Sequence, residues 1–233
     1  MTKEGRKSTP AFQEAARVQN SFTAPIERRI LPWMAARLPG WINSDHLTLL
    51  GFLSMVLAGA SYALVRWNRA GLILATLCLF LNWLGDSLDG TLARVRQQLR
   101  PRYGFYVDHV IDTLGAFFLM GGLAVSGLIQ PRVAAGMLIA YLMLSAEVYL
   151  ATHSLGKFRL SFGKFGPTEI RILLGLANTT LWLRGDAPVF GDAYQLFNLG
   201  GGIAIAGMFL MLIVSIARNA RQLYGEETLM PRR

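Results

Sequence analysis

Residues 86–112 read DSLDGTLARVRQQLRPRYGFYVDHVID, and the rest of the chain is arranged around them. Four aspartates, Asp86, Asp89, Asp108 and Asp112, stand at the edges of two strongly apolar segments. A carboxylate carried to mid-membrane depth costs about 2.5–3.5 kcal/mol on insertion scales, so four together need a compensating partner. Asp86 and Asp89 are three residues apart and Asp108 and Asp112 four, so on helices each pair shares one face. Two such helices joined by a short connector can close an oxygen-lined pocket suited to hard cations such as Mg2+ or Mn2+. Gly90 and Gly104 leave room beside that pocket for a ligand.

Outside this stretch the chain has the composition of a polytopic membrane protein. Of its 233 residues 53% are hydrophobic and only 16% charged, and its mean hydropathy is positive. Six apolar segments, at about 48–65, 71–91, 105–129, 133–152, 168–183 and 197–217, each approach the ~20 residues that span a bilayer. The expected fold is therefore all-α, with six transmembrane helices forming one domain over residues 48–217. Residues 1–47 form an N-terminal segment and 218–233 a tail. Residues 1–20 are polar and lack the apolar core of a signal peptide, so no cleavage is expected. Between Ala24 and Leu38 the apolar residues Ile26, Ile30, Trp33, Met34 and Leu38 recur at helical spacing, with Glu27, Arg28, Arg29 and Arg37 elsewhere. This predicts an amphipathic helix lying on the membrane surface and bent at Pro32.

The net charge of +9 acquires its meaning from where the cations fall. With six spans, all but four of the 23 Lys and Arg residues lie on the side that carries both termini; Arg66, Arg69, Arg132 and Arg184 are the exceptions. By the positive-inside rule both termini and the aspartates face the cytoplasm, at the inner membrane in a bacterium, and the charge reports orientation, not nucleic-acid binding. Cys78, the only cysteine, lies inside an apolar run and reads as an inert buried thiol. Gly200–Gly202 and Gly207 read as sites of close helix packing.

The spacing Asp86-x-x-Asp89-Gly90-x-x-Ala93-Arg94, followed by Gly104-x-x-x-Asp108-x-x-x-Asp112, resembles the signature of the CDP-alcohol phosphotransferases. Nine residues separate Arg94 from Gly104 where eight are usual; they include Pro101 and read as a loop, which absorbs one extra residue at little cost. The resemblance implies that the four aspartates hold two divalent metals, with Asp112 also the base that takes the acceptor's proton. It further implies a CDP-linked donor, most simply CDP-diacylglycerol, an alcohol acceptor, release of CMP, and a homodimer among membrane lipids. Gly90, Ala93, Arg94 and Gly104 would lie against the nucleotide. The segment SDHLTLLG at 44–51 resembles the start of the family's first span and adds Thr48 to that list.

Three polar features lie beside the motif. Glu147 falls inside the fourth span and reads equally as a ligand for substrate or as a partner of His153 or an arginine. The loop HSLGKFRLSFGKFGP at 153–167, followed by Glu169 and Arg171, gathers cations suited to an acceptor phosphate or to lipid headgroups. His109, next to Asp108, reads first as packing. Two other functions use metal-binding acids in membranes. A prenyltransferase needs a second aspartate-rich cluster, which the chain after Asp112 lacks. A divalent-cation transporter needs polar residues at mid-depth in several spans, whereas the acids here gather near one face.

Overall fold

A computed structural model describes residues 16–18, 22–159, 167–184 and 192–227. The polar start of the chain, the middle of the cationic loop and the end of the basic tail lie outside the described residues. Among the described residues seven helices run in order: α1 (Ala24–Ala35), α2 (Ser44–Leu64), α3 (Ala70–Val95), α4 (Pro101–Ser126), α5 (Pro131–Leu155), α6 (Pro167–Arg184) and α7 (Asp192–Glu226). Two three-residue strands, β1 (Ala16–Val18) and β2 (Lys157–Arg159), pair in parallel and join the N-terminal segment to the loop after α5.

The helix ends follow local chemistry. At the start of α2 the Asn43 side chain accepts from the His46 amide at 2.9 Å, and the His46 ring accepts from the Asn43 amide at 3.3 Å, a reciprocal cap. Pro101 and Pro131 open α4 and α5 at the position where a missing N–H costs nothing. Gly127 and Gly156 close these two helices with φ of 80° and 65°, a conformation glycine adopts without a Cβ clash. Pro101 therefore begins a helix instead of belonging to a loop, and the connector after α3 is only residues 96–100. Similarly α7 runs nine residues past the expected end of its span.

Five helices, α2 to α5 and the Leu196–Glu226 part of α7, are long and apolar enough to cross a membrane. The expected fifth span is helical as α6, but it has 18 residues and carries Glu169, Arg171 and Arg184. Glu169 and Arg171 are turned to partners within the protein, as described below.

α2 packs along both α3 and α4, while α3 and α4 touch each other little. Glycines make the approach to α2 possible. A Cβ at Gly122 on α4 would come within 1.9 Å of the Gly59 carbonyl oxygen, and one at Gly85 on α3 within 2.7 Å of the Gly51 nitrogen on α2. Gly121, by contrast, has nothing within 4 Å of its Cβ position. Backbone cannot retreat as a flexible side chain can, so Gly122→Ala is expected to destabilise the fold by about 2–3 kcal/mol. Gly121→Ala should stay within about 0.5 kcal/mol. Thermal or denaturant unfolding of the detergent-solubilised pair checks this difference.

The glycine cluster on α7 departs from expectation. Gly201 alone of its members is packed, against Val133, Met137 and Ile129, whereas Gly200, Gly202 and Gly207 have open space at their Cβ positions. Residues 200, 201 and 202 point about 100° apart around the helix, so one neighbouring helix can meet only one of them.

α6 is fixed by a buried polar knot. The Asn178 amide nitrogen donates to the Tyr62 hydroxyl on α2 at 2.9 Å and to the Thr76 hydroxyl on α3 at 3.2 Å, and the Tyr62 hydroxyl lies 3.2 Å from the Asn178 oxygen. In a lipid-surrounded bundle such bonds substitute for the hydrophobic driving force that water would supply. Cys78, expected to be buried, is half-buried beside the apolar cluster around Tyr62 and Leu79.

α1 turns Ala24, Glu27, Leu31 and Ala35 inward, where Leu31 and Ala35 join Leu47, Leu88 and Leu92 in an apolar cluster. Ile26, Ile30 and Trp33 point away from the protein. The turn from α1 to α2 is pinned by Arg96 at the end of α3, whose guanidinium donates to the carbonyls of Leu38, Pro39 and Ile42. One arginine thus satisfies three loop acceptors.

Candidate active site

α3 supplies Asp86, and α4 supplies Asp108 and Asp112 one helical turn apart. One carboxylate oxygen from each lies within 4.8 Å of the others, close enough to share a cation. Three hard oxygen donors at this separation fit Mg2+ or Mn2+. Arg171, in the first turn of α6, places its Nη2 2.8 Å from Asp86 Oδ2 and supplies a counter-charge there. Both side chains are largely withdrawn from solvent, which strengthens their attraction.

Asp89 stands outside this trio. Its Oδ2 accepts from the Thr48 hydroxyl at 2.7 Å, its Oδ1 accepts from the Gly90 amide, and its main-chain oxygen accepts from Ser44 at 2.9 Å. The start of α2 is sewn to the motif at this residue, so Thr48 acts on Asp89 directly. A second contact at this end is the ion pair between Asp45 and Arg100, a hydrogen bond that raises the arginine's pKa.

Of the remaining motif residues, Gly90 and Gly104 have nothing within 4 Å of their Cβ positions, in contrast to the packing glycines Gly85 and Gly122 of the same helices. Ala93 is buried, and Arg94 donates to the Thr91 hydroxyl at 3.2 Å. A cleft of about 440 Å³ runs between α3 and α1, with Asp86, Ser87, Gly90 and Arg94 on one wall and Glu27 and Arg28 on the other.

Sequence reasoning missed the second wall of that cleft and the Arg171–Asp86 pair, which joins residues 85 apart. It also missed a row of hydroxyls on α5. Tyr141 and Tyr149 flank Ser145, Tyr149 also reaches Thr113, and both phenols lie near Asp112. Their spacing of four along one span was a readable signal for a common face. Glu147 points the other way, to α7, where its Oε1 accepts from Asn219 at 2.8 Å. His109 is held as a packing residue: its ring stacks on Phe105, meets Tyr149 edge-on, and places Nδ1 2.6 Å from the Phe105 carbonyl. Since a carbonyl only accepts, that nitrogen carries the hydrogen.

Two curated proteins share sequence with this chain. An archaetidylinositol phosphate synthase of Pyrococcus horikoshii is 36% identical over 89 residues, which are 38% of this chain and 44% of that protein. An archaetidylinositol phosphate synthase of Methanothermobacter thermautotrophicus is 30% identical over 129 residues, 53% of this chain and 62% of that protein. The matched stretches thus span about half the length of these relatives. The sequence model of the CDP-alcohol phosphatidyltransferases matches residues 41–218, from the turn before α2 to the end of α7's apolar run. The aspartate motif, the helices that carry it and this match over most of the chain agree, and the protein belongs to the CDP-alcohol phosphatidyltransferase family.

Proposed function

We propose that this protein transfers a substituted phosphate from a CDP-linked lipid donor to an alcohol hydroxyl, releasing CMP, as a step of phospholipid synthesis. The observation that carries this reading is the convergence of Asp86, Asp108 and Asp112 beside the open Cβ positions of Gly90 and Gly104. Mg2+ or Mn2+, two ions in all, would be held by this trio, with Asp89 completing the set. When bound they would neutralise the pyrophosphate and stabilise the oxygen that leaves.

The chain's own residues do the rest. Thr48 fixes the Asp89 carboxylate, and Gly90, Ala93 and Gly104 allow the nucleotide close to the helix backbones. Arg94 presents a planar fork to a donor phosphate. The acceptor oxygen bonds to the phosphorus of the substituted phosphate while its proton passes to Asp112. The bridging P–O bond breaks and CMP departs with the bridging oxygen.

The relatives' names point to a phosphorylated polyol, inositol phosphate, as the first acceptor to try. Arg171 in the first turn of α6, after the cationic loop, suits an anionic acceptor. Protein and lipid meet along α2 to α5 and α7, and the outward Ile26, Ile30 and Trp33 of α1 would rest on the membrane at the site's end, the cytoplasmic side by its cations. Purified protein in nanodiscs with a CDP-activated lipid and a panel of radiolabelled polyols, polyol phosphates and amino alcohols tests the reading. Label entering the lipid fraction from inositol phosphate is the expected result. Label entering only from an uncharged alcohol would overturn the acceptor assignment.

A further inference from the structure

Two acidic side chains near the cleft are buried, and neither belongs to the metal trio. Glu27 on α1 is 8% exposed, and its Oε1 accepts from the Trp83 indole on α3 at 3.2 Å and from the Thr168 hydroxyl on α6 at 2.8 Å. Glu169 on α6 is also 8% exposed, and its Oε1 accepts from the Thr23 amide at 2.9 Å and the Thr23 hydroxyl at 3.0 Å. Each carboxylate therefore crosses to a residue at the N-terminus of the other's helix, where amide donors and the helix dipole favour negative charge. α1 is crossed to α6 by two carboxylates and to α3 by an indole. Hydrogen bonds to charged acceptors are the stronger kind, and losing one partner from a buried pair leaves the other unsatisfied.

This clasp sits where the cleft needs a fixed wall. Glu27 and Arg28 are adjacent on α1 and both line the cleft, opposite Arg94, with Asp86 and Gly90 in the wall they face. An arginine on each side of a cleft that reaches the metal trio is the arrangement a phosphate would select. From this we infer that Arg28 binds a phosphate oxygen of a substrate in the cleft, and that Glu27 and Glu169 are positioning residues that hold α1 so that Arg28 can reach it. The inference rests on the transfer reaction proposed above. The phosphate is that of the CDP-linked donor or that of a phosphorylated acceptor, and kinetics with each substrate varied separately distinguishes the two.

The test uses the full chain in nanodiscs and follows CMP release. Arg28→Ala is expected to raise KM for one substrate about tenfold while kcat stays within about threefold, because a contact made equally in the ground and transition states affects binding alone. Glu27→Ala should raise KM for that same substrate, and Glu27→Gln should restore most of the loss, since the amide oxygen can still accept from Trp83 and Thr168. Arg29→Ala, next in sequence but outside the cleft lining, should leave both constants unchanged. The proposal is overturned if Arg28→Ala leaves both KM values within twofold of wild type, or if Glu27→Ala moves the KM of the other substrate. Should Glu27→Ala fail to fold, Arg28→Ala against Arg28→Lys still decides, with the lysine expected to recover part of the binding. Wild-type turnover in the same assay establishes the underlying reaction, so flat KM values in active variants count against the Arg28 assignment alone.

Discussion

Asp112→Asn is expected to lower CMP release by about 10²–10⁴-fold, the usual contribution of a positioned general base. The substitution keeps the shape of the side chain and one oxygen that can face a cation, but the amide cannot accept the acceptor's proton. Donor binding should therefore survive while the chemical step is lost. Single-turnover CMP release, set beside equilibrium binding of the CDP-linked donor, separates the two effects. Asp112 also lies near Tyr141 and Tyr149 of α5, so the site retains a hydroxyl-lined wall in the variant. Full turnover by Asp112→Asn would assign the base to another group.

Asp108→Ala should act at an earlier step. Asp108 offers one of the three carboxylate oxygens that converge within 4.8 Å, so its removal leaves Asp86 and Asp112 alone to hold a cation. Loss of residues that merely orient a metal ligand costs about 10–100-fold in affinity, so loss of a ligand itself should cost more than about 100-fold. Turnover should fall in parallel, by at least the ~10²–10³-fold that removal of one electrostatic stabiliser produces. Titration of Mn2+ by electron paramagnetic resonance measures the first effect and CMP release the second. Asp108→Ala with unchanged Mn2+ affinity would place the cation elsewhere.

The aspartate motif was readable in the sequence because it is local: spacings of three and four fix a helix face before any tertiary contact exists. The same holds for the apolar runs that became α2 to α5 and α7. What escaped was set by contacts between distant segments. Nothing near Arg171 in the sequence names Asp86 as its partner, and Glu27, read as part of the polar side of a surface helix, bonds to Thr168 only because α1 and α6 cross. Asp89 shares the motif's spacing with Asp86, and that its oxygens also accept from Thr48 and the Gly90 amide is not written in that spacing. Pro101 was read as a loop residue although its fixed φ suits the first turn of a helix equally well. The α7 glycines show a further limit: composition signals close packing, but only the face that meets a neighbour can use it, and that face holds Gly201.

The most direct measurement is CMP release from a CDP-linked lipid by the nanodisc-embedded protein, with divalent cation and acceptor each supplied or withheld. The account predicts release that requires both Mg2+ or Mn2+ and an acceptor hydroxyl, and that collapses in Asp112→Asn. Folded, Mn2+-binding protein that releases no CMP with any donor, while carrying cations across a vesicle membrane regardless of nucleotide, would contradict it.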